Sequence, residues 1–276
     1  MTKRIYSVIF TLLLSALSLI FLAPIGIVLM NSFKGKFYIS AEPFRFPIDE
    51  LFAGLDNYTS GLEKTSFISA FGRSLFITVC SVLLIIICTS MTAWYLARVK
   101  DKFTKIFYAS LVFSMIVPFQ MVMFTLSKIA DTLRLSNPIG IIFIYLGFGA
   151  GLSTFLFSGF IKGIPMQLEE AATIDGCGPI RLFFQIIFPL LRPTSVTVAI
   201  LNAMWIWNDY LLPYLIIGTD FPTIPIAVQY LKGGYGSVDM GALMAMLVLA
   251  IVPIIIFYLL CQKYIIKGVV AGAVKG

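Results

Sequence analysis

The chain has 276 residues, 59% hydrophobic and 12% charged, with a mean hydropathy of +0.98 and a formal charge of +7. A soluble domain carries about 25% charged residues, so the composition excludes a large-cored soluble protein and predicts an all-α, polytopic membrane protein. Histidine is absent, which removes histidine metal sites, histidine general bases and Ser-His-Asp triads in one step.

A basic start at Lys3 and Arg4 precedes an apolar run over residues 5–30. The apolar region of a cleaved signal spans about 7–15 residues, so this longer run reads as a retained first span, bent near its outer end by Pro24 and Gly26. Residues 31–70 form a polar connection. The second span covers 71–97, with Arg98, Lys100, Lys102 and Lys105 following it. The third covers 106–126 with Pro118 inside, and a short polar loop runs to 138. The fourth covers 139–160, where Gly147 and Gly151 are spaced for a close helix crossing. Residues 161–193 are too polar for a bilayer. The fifth span covers 194–217, a glycine-rich polar loop covers 218–240, the sixth span covers 241–261, and a tail covers 262–276. About six transmembrane helices thus form one domain over 1–276. Cys80, Cys88, Cys177 and Cys261 show no CxxC spacing and read as apolar packing residues.

The positive-inside rule orients these spans. With the N-terminus inside, one side holds Lys3, Arg4, Arg98, Lys100, Lys102, Lys105, Lys162, Arg181, Arg192, Lys263, Lys267 and Lys275, which is 12 of the 20 Lys and Arg. The 161–193 loop and both termini are then cytoplasmic. The net charge is a topology signal, and no nucleic-acid partner is expected.

The 161–193 loop has its own pattern. Ile164, Leu168, Ala171 and Ala172 fall on one helical face. Pro165 suits a first turn and Gly176 the position past a helix end. A second short helix starts at Pro179 and places Ile180, Phe183, Phe184 and Ile187 on one side. The reading is helix, glycine turn, helix at a membrane surface. The alanines let another protein approach closely, and Glu169, Glu170 and Asp175 offer it charges.

No GxxxxGK[ST] phosphate loop occurs, so the chain does not bind ATP by that route. One ionisable residue lies well inside a span, Asp209 within Trp205-Ile206-Trp207-Asn208-Asp209-Tyr210, and intramembrane charges are functional candidates. Trp207, Asn208, Asp209 and Tyr210 carry sugar-recognition chemistry, with amide and carboxylate for hydroxyls and aromatic faces for rings. The structural reading is that Asn208 and Asp209 satisfy a helix break before Pro213 or bond a neighbouring span.

Glu170-Ala171-Ala172-x3-Gly176-x9-Ile186-x-Phe188-Pro189 resembles the EAA loop of ABC importer permeases, with Phe188 where the family has leucine. Asn31-Ser32-Phe33-Lys34, Asn57-Tyr58, Trp207-Asn208-Asp209 and the ending Gln262-Lys263-x4-Gly268-x3-Gly272-Ala273-Val274-Lys275-Gly276 are similar to the carbohydrate branch, specifically the smaller permease of maltose-type importers. The resemblance covers nearly the whole chain. It implies a non-catalytic subunit in a prokaryotic cell membrane that passes a di- or oligosaccharide inward. Glu169, Glu170, Ala171, Ala172, Asp175 and Gly176 would form the ATPase-coupling site. Val274, Lys275 and Gly276 would reach the ATPase dimer interface. Implied partners are a second, different permease, two cytoplasmic ATPase subunits, an extracellular sugar-binding protein, the sugar and membrane lipid. No cofactor is expected on this chain, since ATP and Mg would be used by the ATPase. Because the sugar site of the maltose relative lies mainly in the other permease, Asp209 takes a supporting or pathway role. An importer for a polyamine, phosphate or iron complex, or a stand-alone secondary transporter, are the alternatives.

Overall fold

A bilayer offers backbone N–H and C=O groups no water, so apolar runs must close their hydrogen bonds within helices. The computed structural model describes the backbone of residues 2–232 and 238–273, and the side chains of 6–232 and 238–262. In chain order the helices are α1 (Thr2–Asn31), α2 (Lys36–Ala41), α3 (Asp56–Lys64), α4 (Phe67–Arg98), α5 (Lys102–Ser114), α6 (Phe119–Thr132) and α7 (Gly140–Ile161). They continue as α8 (Gln167–Ile174), α9 (Pro179–Leu182), α10 (Phe188–Leu190), α11 (Arg192–Asn208), α12 (Leu211–Ile217), α13 (Ile224–Gln229) and α14 (Met240–Ala273). Among the described residues, four helices are long and apolar enough to cross a membrane, and six spans result if two bent pairs each count as one.

One bent pair joins 179–190 to 192–208 at 77°, so an apolar segment of the expected 161–193 loop runs into the fifth span. The other bent pair, and a separate break after Asn208, correct two expected spans. The third is not one helix over 106–126: α5 ends at Ser114, α6 starts at Phe119, and the two are bent by 108°. Pro118 has no N–H to continue the ladder and pushes Val117 away from the helical region. Freed by the break, α6 runs on to Thr132 through part of the expected loop. The fifth span is broken as well, since α11 stops at Asn208 and α12 begins at Leu211. Pro213 cannot donate to the Asp209 carbonyl four residues back, and its ring would collide with that carbonyl.

Contacts divide the chain into two compact units. One comprises Met1–Ala70 and Ala227–Pro253, the other Phe71–Ile226 and Ile254–Gly276. In the first, the connection after α1 is tied by polar groups. The Asn57 amide donates to the Ser32 and Lys34 carbonyls, at 2.8 Å each. Lys34 is fully buried and its ammonium donates to the Glu42 carbonyl at 2.7 Å. Burial pushes the pKa of this amine below its usual value, against the opposing pull of Glu42. Asp239, just before α14, forms an ion pair with Lys64 at the end of α3.

In the second unit, the core gathers Ile85, Tyr145, Phe157, Ile161, Phe183, Ile187 and Leu191. The close helix approaches fall at Gly149 and Gly151 rather than at Gly147. A Cβ on Gly151 would sit 2.5 Å from the Leu111 carbonyl oxygen, and one on Gly149 would sit 2.7 Å from Ile85 Cδ1. A Cβ on Gly147 would meet no atom of another element within 4 Å among the described residues. Beside Gly149, the Asn202 amide on α11 donates to Ser153 Oγ on α7 at 3.1 Å.

Candidate functional site

α8 lies between the fourth and fifth spans, where the sequence places a surface helix. It ends in a left-handed turn at Gly176, φ +82°. Gly176 N–H donates to the Thr173 carbonyl and Cys177 N–H to the Ala172 carbonyl, both at 3.0 Å. This is the paired closure of a Schellman turn, and its left-handed position suits glycine.

The two glutamates of α8 part company. Consecutive helical residues point about 100° apart, and here that angle separates core from surface. Glu169 is only 4% exposed. One of its carboxylate oxygens accepts from Arg98 Nε at 2.8 Å and lies 2.7 Å from Arg98 Nη2 in an ion pair, and the other accepts from Trp94 Nε1 at 3.0 Å. Arg98 Nη2 also donates to the Ile164 carbonyl at 3.0 Å. Trp94 packs against Phe183, with ring centroids 5.6 Å apart. The last turn of α4 therefore grips α8 by charge and the following segment by ring contact. Sequence reasoning took Arg98 as a topology charge and passed over Trp94. The available signal was an arginine one helical turn from a tryptophan at the end of an apolar span, opposite a loop with adjacent glutamates.

The inward face of α8 is Glu169 and Ala172, not the four-residue face read from the sequence. Ile164 precedes the helix, which begins at Gln167, and Leu168 and Ala171 point outward. Glu170, Asp175 and Gly176 are exposed as well, and Ile174 is 85% exposed. The second short helix also differs from expectation. Phe183 and Ile187 are buried while Ile180 is 70% exposed and Phe184 is half-exposed. A π turn over Phe183–Ile187 widens the spacing and rotates these side chains apart.

The Trp207–Tyr210 stretch is split by the α11–α12 break. Trp207 is buried, edge-on to Phe71 at 5.6 Å. Asn208 is exposed and its amide donates to the Met204 carbonyl at 2.7 Å. Asp209 caps the new helix, one carboxylate oxygen accepting from Leu211 N–H at 3.1 Å and Leu212 N–H at 3.3 Å. Its other oxygen accepts from the hydroxyl of buried Tyr145 at 3.1 Å. Asp209 thus bonds both the helix break and a neighbouring span, while the Asn208 amide bonds within α11. Tyr210 stacks on Tyr214 with centroids 5.3 Å apart. Val274, Lys275 and Gly276 lie outside the described residues, as do residues 233–237 of the loop before the sixth span.

A multi-pass helical bundle that holds one short helix firmly between two spans, with that helix's outer face bare, has the construction of a transport permease. Residues 85–270 match the family described as the binding-protein-dependent transport system inner membrane component. Similar chains include a probable starch degradation products transport system permease of Thermoanaerobacterium thermosulfurigenes, 42% identical over 94% of this chain and 93% of the relative. The multiple sugar-binding transport system permease of Streptococcus mutans is 36% identical, covering 95% of each chain. The melibiose/raffinose/stachyose import permease of Bacillus subtilis is 36% identical over 97% of this chain and 96% of the relative. The fold is also that of one chain in the crystal structure of a bacterial ABC transporter that imports the acidic polysaccharide alginate, with a TM-score of 0.78, 22% identity, and coverage of 95% of this chain and 97% of that one. The chain belongs to the binding-protein-dependent inner-membrane transport family.

Proposed function

We propose that this chain is the permease subunit of an ATP-driven importer that passes a sugar, a di- or oligosaccharide, across the cell membrane from an extracellular binding protein. The observation that carries the reading is the Arg98–Glu169–Trp94 clamp under α8. It makes α8 a rigid extension of α4 while leaving Glu170, Ala171 and Ile174 bare for a second protein. The relatives named for starch products, multiple sugars and melibiose, raffinose or stachyose support the sugar. A solved structure of similar fold holds an alginate transporter together with a pentasaccharide-bound periplasmic protein, which supports the binding protein.

In this reading α8 faces the cytoplasm and seats in a cleft of one of two ATPase subunits. Those subunits hold the ATP and Mg, and the tail at Val274, Lys275 and Gly276 reaches their interface. A second, different permease completes the pathway. ATP-driven closure moves α8, the clamp passes the motion to α4, and the spans shift between inward- and outward-facing populations. Of the stretch Trp207, Asn208, Asp209 and Tyr210, exposed Asn208 faces the pathway, while Asp209 holds the α11–α12 break beside it.

Uptake of a panel of labelled sugars, in cells with and without the gene and again under vanadate, tests the reading. Loss of one oligosaccharide in both conditions is expected. Uptake that survives vanadate and follows an ion gradient would overturn the machine, and loss of a non-sugar solute alone would overturn the sugar. Glu170→Lys should abolish uptake while leaving membrane insertion intact.

A further inference from the structure

A cleft of about 250 Å³ opens where α4 ends and α5 begins, against the end of α7. Lys100, Lys105 and Lys162 line it, together with apolar Leu96, Ala97 and Val99. The wall contains no carboxylate, and the nearby Asp101 is committed to capping α5, accepting from Thr104 N–H at 2.7 Å. Among the described residues none of the three lysines forms a salt bridge. The Lys162 ammonium lies 5.8 Å from the centre of the Tyr108 ring, which holds it over the same cleft. Ser158 also lines the cleft. It is 1% exposed and its hydroxyl has no hydrogen-bond partner among the described residues. A buried hydroxyl left unpaired is costly, so a ligand acceptor at this point would relieve it.

We infer that this cleft binds the phosphodiester of an anionic phospholipid. Lysines bind phosphate as point charges, and a basic pocket between spans suits an acidic headgroup. The apolar side of the wall favours a lipid over free phosphate, because it gives the glycerol and upper acyl carbons a dry surface that a hydrated ion does not need. Ser158 donates to a phosphate oxygen. The bound headgroup sits against Ala97 and Val99, the neighbours of Arg98 in the turn of α4 that grips α8.

The full chain, purified with the subunits that accompany it, is placed in nanodiscs of phosphatidylcholine with a minority of phosphatidylglycerol. Retained lipid is read by native mass spectrometry. Wild type is expected to keep phosphatidylglycerol selectively, and Lys105→Gln with Lys162→Gln should lower retention about 25-fold, fivefold per lysine being the factor for about 1 kcal/mol each. The Lys→Arg pair should retain it. Should the double variant fail to assemble, Ser158→Val decides, with a few-fold loss expected. Equal retention in wild type and variant, or equal retention of phosphatidylcholine, would overturn the site. Adducts of added inorganic phosphate that depend on the lysines, without retained phosphatidylglycerol, would assign the cleft to a free anion and overturn the lipid.

Discussion

Glu169 and Asp209 are carboxylates withdrawn from the surface, the first buried and the second half-buried, and they serve different ends. Glu169 takes all its side-chain partners from another helix: two guanidinium nitrogens and an indole of α4. Asp209 takes two of its three from the backbone just ahead of it, and the third from Tyr145. The first arrangement joins elements far apart in sequence. The second mends a local fault that Pro213 creates. A buried charge is thus no single kind of signal, and its partners decide whether it joins distant elements or repairs backbone.

The sharpest way to break the contrast is Arg98→Met, which leaves the Glu169 charge buried and unpaired. Losing one partner of a buried pair costs about 3–5 kcal/mol, so thermal stability of the purified complex should fall steeply. Arg98→Met with Glu169→Leu should recover much of it, yet leave uptake uncoupled from ATP hydrolysis. Trp94→Phe removes one hydrogen bond to a charged acceptor, worth about 1.5–3 kcal/mol, and uptake per ATP hydrolysed should drop while assembly persists. Asp209→Ala removes a helix cap, worth about 0.5–2 kcal/mol. Its loss of uptake should track its loss of stability, whereas abolished uptake at normal stability would make Asp209 a substrate contact. Gly176→Ala places a Cβ at φ +82° and should cost about 1–2 kcal/mol, with a matching drop in melting temperature.

The smallest effect lies in the other unit and bears on neither carboxylate, which makes it a control. Burial raises the pKa of Asp239, but the hydrogen bond and charge of Lys64, the Ala242 N–H and the charge of Lys36 outweigh it, so the pKa lies below the usual carboxylate value. A depressed folded pKa gives stability that is present above the unfolded value of about 4 and is lost as pH falls through the folded one. Lys64→Met should flatten that acid limb of the melting curve and leave transport at neutral pH unchanged.

Hydropathy revealed the spans because twenty apolar residues leave a helix few other readings. Pro118 and Pro213 were both visible, and a break before Pro213 was one of the two readings of Asn208 and Asp209; the break at Pro118 went unread, because a proline inside a span gives no account of which neighbour absorbs the freed groups. The surface helix and its glycine turn were legible from composition and spacing. Its inner face was not, because Glu169 and Glu170 are equal as letters and only Arg98 and Trp94, some 70 positions earlier, tell them apart. Ser158 was silent for the same reason, since its missing partner is a property of packing alone.

Between Ser74, whose hydroxyl accepts from Ile224 N–H at 2.8 Å, and Arg98, α4 is about 36 Å of unbroken helix at 1.5 Å per residue. A helix resists compression, so a tilt at the clamped end reappears undiminished at the other. Under the proposed coupling α4 would act as a lever arm: a rotation of about 10° about one end sweeps the other through roughly 6 Å. Its gain is set by where the core grips it.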